Sequence, residues 1–216
     1  MIDFAAERES MIERTIRSRG LEDPKLIAAF RAVPREEFIS PNFAAHAYDD
    51  APLPIEAGQT ISQPYIVALT IDAAAIGPGD KVLEIGAGSG YAAAVLGQVA
   101  HEVIAIERHH ELVAKARERL ERLGCRNVQI VEGDGTLGCR AEAPFDAIVA
   151  AASGSHVPTV LLDQLKPGGR IVMPIGEPHA VQALVKITKR ADGSSIREDL
   201  GAVRFVPLIG EHGYSA

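Results

Sequence analysis

The stretch from Lys81 to Gly90, KVLEIGAGSG, most constrains what this chain can fold into. Val82, Leu83 and Ile85, with Glu84 between them, are a short run of β-formers of the kind that makes a buried strand in a parallel sheet. The run passes directly into Gly86, Gly88 and Gly90 and then into the apolar residues from Tyr91 to Val99. Strand, glycine turn and helix in that order let a backbone approach a bound cofactor, because a Cβ would collide with the ligand or forbid the turn. The glycines fall as G-x-G-x-G, not as the G-x-G-x-x-G of dinucleotide folds. Glu84 stands two residues before the first of them. A carboxylate there would repel a pyrophosphate and suit a ligand with a positive charge, such as the ammonium of an amino acid. These residues favour S-adenosylmethionine, with NAD or FAD second. A glycine turn that only lets helix and strand pack closely is the plainer alternative.

A β/α alternation follows from Lys81. Strands are expected at Lys81–Ile85, Glu102–Ile106, Asn127–Val131, Phe145–Ala150 and Arg170–Pro174, with helices at Tyr91–Val99, His109–Leu123 and about Pro158–Leu165. Lys166–Gly169 reads as a turn. Two last strands, Val181–Thr188 and about Gly201–Val206, follow without a full helix, with Asp192 and Gly193 in the turn between them. The expected fold class is therefore α/β: a Rossmann-like, doubly wound sheet, mostly parallel with an antiparallel edge.

Upstream, Asp3–Arg19 reads as an amphipathic helix ended by Gly20, and Pro24 to about Val33 as a second helix between Asp23 and Pro34. Residues 34–54 have no sustained period. They are too aromatic for a disordered linker and read as an irregular cover with one short helix. Residues 58–64, GQTISQP, precede a helix from Pro64 to about Ala75, so hydroxyls and amides sit at a helix N-terminus where free N–H groups favour an anion. Residues 1–57 are read as an N-terminal helical and covering segment, and 58–216 as the cofactor-binding core of a single compact unit.

The net charge of −7 gives no basic footprint for a nucleic-acid backbone. No apolar run is long enough to span a membrane, and the N-terminus lacks the apolar core of a secretory signal, so a cytoplasmic protein is expected. Cys125 and Cys139 read as ordinary thiols. His109, His110 and His156 read as solvated side chains, and no metal is expected.

Three acids define the crevice. Glu84, Glu107 and Asp134 each stand at or near the carboxyl end of successive strands, the edge on which open α/β sheets bind ligands. Glu107, roughly twenty residues after the glycine turn, can accept both ribose hydroxyls. Asp134, flanked by Gly133 and Gly135, can accept from the exocyclic amine of an adenine. Together they describe a pocket for an adenosyl group with a cationic amino-acid tail.

Over nearly its whole length the chain resembles the protein-L-isoaspartate O-methyltransferase family. The resemblance runs through Val33-Pro34-Arg35, Pro52–Ile55, Gly58–Tyr65, Val82–Tyr91, Gly133-Asp134-Gly135, Ala143–Asp146, Asp163–Gly169 and Val203–Leu208. The glycine stretch is common to methyltransferases; GQTISQPY and RFVPL are specific to the family. The resemblance implies a class I methyltransferase fold and transfer of a methyl group from S-adenosylmethionine to the α-carboxylate of an L-isoaspartyl residue, leaving S-adenosylhomocysteine. The ester then closes to a succinimide that reopens partly to aspartate, repairing the damaged protein. Implied donor-site residues are Gln59, Thr60, Ile61, Glu84, Gly86, Ala87, Gly88, Ser89, Gly90, Glu107, Arg108, Asp134 and Gly135. Ser62 is the implied active-site serine, and Val206-Pro207-Leu208 would wall the substrate site. The implied partners are proteins or peptides bearing isoaspartate, met by a monomer; neither nucleic acid nor membrane is expected.

The implied chemistry suits the residues. A carboxylate, whose ordinary pKa is ~3.5–4, is already ionised near neutrality and needs no strong base. It must be stripped of water and aligned. Where bacterial members usually carry Thr-Ala-Ala-Pro, this chain has Ala150-Ala151-Ala152-Ser153, followed by Gly154-Ser155-His156, a difference that bears on substrate preference. A same-fold methyltransferase for another peptide or small-molecule carboxylate, and a non-catalytic cofactor-binding homologue, remain as alternatives.

Overall fold

The computed structural model describes residues 2–215. The helical stretch expected over Asp3–Arg19 is continuous but not uniform. α1 (Phe4–Met11) starts on Asp3, whose carboxylate accepts from the Ala6 N–H at 3.1 Å. It passes into a π-helical turn at Ile12–Ile16 and a 3₁₀ turn at Arg17–Arg19, and Gly20 ends it with a left-handed φ of +86°. α2 (Pro24–Ala32) begins on proline behind an Asp23 cap, as its sequence predicts. The cover holds two short 3₁₀ turns, Arg35–Phe38 and Pro41–His46, in place of the single helix expected. An unforeseen hairpin joins β1 (Leu53–Pro54) to β2 (Thr60–Ile61). Strands of two residues are too short to leave a period in the sequence. α3 (Pro64–Ala74) follows.

The alternation then runs β3 (Lys81–Ile85), α4 (Tyr91–Val99), β4 (Glu102–Glu107), α5 (His110–Arg122), β5 (Val128–Glu132), β6 (Phe145–Ala150), α6 (Thr159–Asp163), β7 (Leu165–Ile175), β8 (Gln182–Lys189) and β9 (Ser195–Val203). One seven-stranded sheet has the order β5-β4-β3-β6-β7-β8-β9. β5 to β7 pair in parallel, and β8 and β9 add the antiparallel edge. The chain leaves β3 toward β4 on one side and returns to β6 on the other. The crevice at their carboxyl ends is therefore the topological switch point where such sheets bind ligands.

Three elements differ from expectation. β7 begins at Leu165, so Lys166–Gly169 is carried inside the strand as a register slip opposite Phe145 and Ala147. α6 is correspondingly shorter. β9 starts at Ser195 and ends at Val203; Ser195–Asp199 is exposed, so the polar edge strand carries no apolar signal. The apolar residues after it leave the sheet and fold back along its carboxyl edge, where Ser153 N–H donates to Val206 O and Leu208 N–H to Ser153 O, both at 2.8 Å.

Alternate residues of each central strand pack on opposite faces. Val82, Val103, Ala105, Ala147 and Val149 share one cluster with Met11, Ile16, Phe30 and Phe38 of the N-terminal segment. Leu83, Ile85, Ile104, Ile106 and Ile148 form the other with Leu161, Met173 and Leu208. The N-terminal helices thus bury their apolar face against α3 and α4, which themselves cover this face of the sheet. Tyr91 at the start of α4 meets Phe38 and Phe30 edge-on, with ring centroids 5.6 and 6.3 Å apart. That places the cover directly behind the glycine turn.

Candidate active site

Three hollows open at the carboxyl ends of β3 and β6, and Thr60 and Ala151 line all of them. A narrow inner chamber of about 60 Å³ is walled by Ile61, Ser62, Glu84, Ala87, Ser89 and Tyr91. A hollow of about 380 Å³ beside it is lined by Gln59, Gly86, Gly88, Glu107, Arg108 and Gly135. A third, of about 430 Å³, is lined by Ser62, Gln63, Val181, Arg204, Phe205 and Val206. Ser62 lines the inner chamber and the third hollow, the point where the two meet.

The glycine turn is shaped as the sequence predicts. Gly86, Gly88 and Gly90 have φ of +84°, +55° and +88°, conformations that disfavour any Cβ. Gly86 and Gly88 line the hollows. Gly90 does not; a Cβ there would stand 3.2 Å from Ala116 Cβ, so its role is to let α4 close against α5.

The three acids are held in different ways. Glu84 is 1% exposed, and its Oε2 has no hydrogen-bond partner. Burial first, and then the nearby Glu107 carboxylate, push its pKa well above the usual carboxylate range. Glu107 is buried but well served: Oε2 accepts from Gly88 N–H at 2.9 Å, and Oε1 from Arg108 and His109 N–H at 2.8 and 2.9 Å. These bonds join the glycine turn to the end of β4.

Asp134 is placed differently from the expectation. Its carboxylate does not line the second hollow, although Gly135 does. Oδ1 accepts from Thr136 N–H and Oγ1 at 2.8 and 2.7 Å, and Oδ2 from Glu211 N–H at 2.8 Å. Burial raises its pKa, but these hydrogen bonds outweigh that and hold it below its ordinary value. Thr136 Oγ1 in turn accepts from His212 N–H at 3.1 Å. Asp134 therefore pins the C-terminal segment, and that segment supplies Pro207, Leu208 and Ile209 to the wall of the hollow. Of the Val206-Pro207-Leu208 stretch, Val206 lines both the second and the third hollow, and Pro207 and Leu208 line the second.

The helix after Ser62 also differs from expectation. The N-terminus of α3 offers no free anion site. Pro64 has no N–H, Tyr65 N–H donates to Asp50 Oδ1 at 3.1 Å, and Ile66 and Val67 both donate to Gln63 O. Asp50 comes from the irregular cover, fifteen residues upstream, and is itself paired with Arg19 at 2.8 Å. No local sequence signal announces such a remote cap. Arg204 is the one charged residue lining the third hollow among the described residues. His156 lies on the surface beside Ser155, and His109 lines the second hollow. Tyr91 was not anticipated in the site. Its ring walls the inner chamber, and burial pushes its hydroxyl pKa up to about 12.

The family model for Protein-L-isoaspartate(D-aspartate) O-methyltransferase (PCMT) matches residues 6–213. The chain belongs to the protein-L-isoaspartate (D-aspartate) O-methyltransferase family. Protein-L-isoaspartate O-methyltransferase 1 of Rhodopseudomonas palustris (strain HaA2) is 53% identical over 213 residues, which cover 99% of this chain and 87% of the relative. Protein-L-isoaspartate O-methyltransferase 2 of Pelobacter propionicus is 50% identical over 96% of this chain and 92% of its own. A solved protein-L-isoaspartate O-methyltransferase superposes with a TM-score of 0.87 at 31% identity, over 95% of this chain and 67% of that one. A structure from Plasmodium falciparum described as a beta-aspartate methyltransferase (PCMT), in complex with S-adenosyl-L-homocysteine, superposes with a TM-score of 0.80 at 28% identity, over 97% and 99% of the two chains.

The residues present fit the donor this family uses. An ammonium would give the orphaned Glu84 Oε2 the partner it lacks, and the left-handed glycines leave the space a Cβ would fill beside it.

Proposed function

We propose that Ser62 receives the acceptor carboxylate in the S-adenosylmethionine-dependent O-methylation of protein L-isoaspartyl residues, the activity this chain carries out. The observation that carries the assignment is the position of Ser62 between the inner chamber and the third hollow. In this reading the second hollow takes the adenosyl group, with Glu107 facing the ribose, and the inner chamber takes the amino-acid tail, with Glu84 against its ammonium. The third hollow takes the isoaspartyl side of the substrate.

When bound, S-adenosylmethionine supplies an electrophilic methyl on a sulfonium. The chain supplies position and dryness. The acceptor is already an anion, so no group has to remove a proton from it. The Ser62 hydroxyl donates to one carboxylate oxygen without bringing a competing charge. Arg204 balances the acceptor charge at the mouth of the third hollow. Ile66 and Phe205, which line both the inner chamber and the third hollow, exclude water around the reacting oxygen. Alignment of this kind supplies most of what a reaction between a ready nucleophile and a ready electrophile needs.

The same proposal takes the protein to act as a cytoplasmic monomer; among the described residues no helix is long and apolar enough to cross a membrane. The deciding experiment compares labelled methyl transfer to an isoaspartyl peptide and to its aspartyl twin. Labelling of the isoaspartyl peptide alone is expected. Equal labelling of both would overturn the acceptor assignment.

A further inference from the structure

The hairpin that carries Gln59 and Thr60 into the site is clamped from behind. Between β1 and β2 the chain makes a tight loop. Ile55 N–H donates to Gln59 O at 2.9 Å, and Ala57 and Gly58 are both left-handed, with φ of +54° and +67°. For alanine this conformation costs of order 1 kcal/mol, so the loop needs an external hold. Its apolar hold is Ile55, whose Cδ1 lies 3.4 Å from the position a Cβ would take on Gly88. Its polar hold is Glu56, which lines none of the three hollows.

Glu56 Oε1 accepts from Lys115 Nζ at 2.9 Å and from Arg119 at 3.3 Å. The other terminal nitrogen of Arg119 donates to the carbonyl of Ser89, in the glycine turn, at 3.3 Å. One guanidinium on α5 therefore ties the hairpin to the turn from outside the site. Both side chains are largely buried, at 11% and 19% exposure for Arg119 and Glu56, so the pair is less screened than a surface bridge.

We propose that Glu56 and Arg119 are positioning residues for the methyl donor: they hold the hairpin over the glycine turn so that Gln59 and Thr60 face the donor hollow. The inference rests on the reading of that hollow as the donor site. Neither residue touches the donor or the acceptor. Losing the clamp should loosen the donor and spare the methyl transfer step once the donor is bound.

The test is isothermal titration of S-adenosylhomocysteine into the wild-type protein, Glu56→Gln and Arg119→Gln, with steady-state methylation of an isoaspartyl peptide alongside. Glu56→Gln should weaken binding about fivefold, the scale of a part-buried ion pair, and remove most of the salt dependence of the affinity. KM for the donor should rise by the same factor, with kcat at saturating donor and KM for the peptide unchanged. Lys115→Gln, a milder change at a half-exposed side chain, should weaken binding about twofold and serves if either larger change fails to fold. Failure of the wild-type protein to bind S-adenosylhomocysteine would overturn the donor-site reading itself. Wild-type binding with unchanged affinity in Glu56→Gln, or in Lys115→Gln where that is the variant that folds, would overturn the clamp alone. So would an equal loss in kcat and in peptide KM.

Discussion

Glu84 and Glu107 stand near the carboxyl ends of neighbouring parallel strands, yet Glu107 accepts three backbone N–H groups while Glu84 Oε2 accepts none. One carboxylate is tied into the scaffold, and the other is the one proposed to meet the ammonium of the donor. Burial and the Glu107 charge raise the Glu84 pKa in the ligand-free protein. Between the unfolded value near 4.5 and the higher folded value, the unfolded chain has released a proton that the folded chain keeps. In that window this group makes the fold less stable as pH rises. A bound ammonium favours the ionised form, so donor binding should release a proton there. Titrating S-adenosylhomocysteine in buffers of different ionisation enthalpy should give a buffer-dependent heat, absent in Glu84→Gln. The variant should also bind about 10- to 100-fold more weakly, the scale of one hydrogen bond to a charged group, while unfolding at a higher temperature near neutral pH. A variant that binds as tightly as wild type would remove the role assigned to Glu84.

Ser62→Ala tests the other side of the methyl group. The hydroxyl is assigned to the acceptor, so methyl transfer should fall about 10- to 100-fold, as expected for one hydrogen bond to an anion. Affinity for S-adenosylhomocysteine should stay within about twofold, since the proposed reading gives its tail to Glu84 and the glycine turn. Single-turnover labelling at saturating donor separates the two effects. An unchanged rate would take Ser62 out of the reaction.

The alternation of strands and helices, the antiparallel edge and the crevice were legible because each rests on a local pattern: buried β-runs, glycine turns and helices in alternation. Glu84 was legible for the same reason, as a charge inside an apolar strand. The missed features come from contacts between distant segments. Asp50 capping α3, the clamp of Glu56 by Arg119, and the hold of Asp134 on Glu211 join residues 15, 63 and 77 positions apart. Each pairs a common polar residue with a backbone group or a common ion partner, and no period or spacing marks such a pair. Asp134 shows the result most clearly. Its place at a strand end is where an adenine ligand would stand, but its oxygens face the returning C-terminus.

Asp134 therefore carries its own prediction. Asp134→Ala removes the acceptors for Thr136 and Glu211, which should free the segment that walls the hollow proposed for the adenosyl group. Gly210→Ala should act alike, because its Cβ would fall against Asp134 Oδ1. Both variants should lose about 1–3 kcal/mol of stability and bind S-adenosylhomocysteine more weakly. Hydrogen exchange should show the loss of protection at Glu211 and His212. If Asp134→Ala weakens the cofactor with Glu211 still protected, the carboxylate acts on the adenine directly and the strap account is wrong.

Arg204 is the charged residue of the hollow proposed for the acceptor. Among the described residues it is the one charged residue lining a space whose other lining residues are uncharged, Ile66, Val181 and Phe205 among them. The guanidinium is exposed, so its attraction for an anionic acceptor works through solvent and should be modest and screened by salt. Arg204→Gln should raise KM for an isoaspartyl peptide by about fivefold at low ionic strength, with the difference shrinking at high salt. KM for the donor and affinity for S-adenosylhomocysteine should not move, because Arg204 lines neither of the donor hollows. A peptide KM that rises equally at all salt concentrations would point to shape at Arg204 instead of charge. A change confined to the donor would place the acceptor elsewhere and return the third hollow to an unassigned surface.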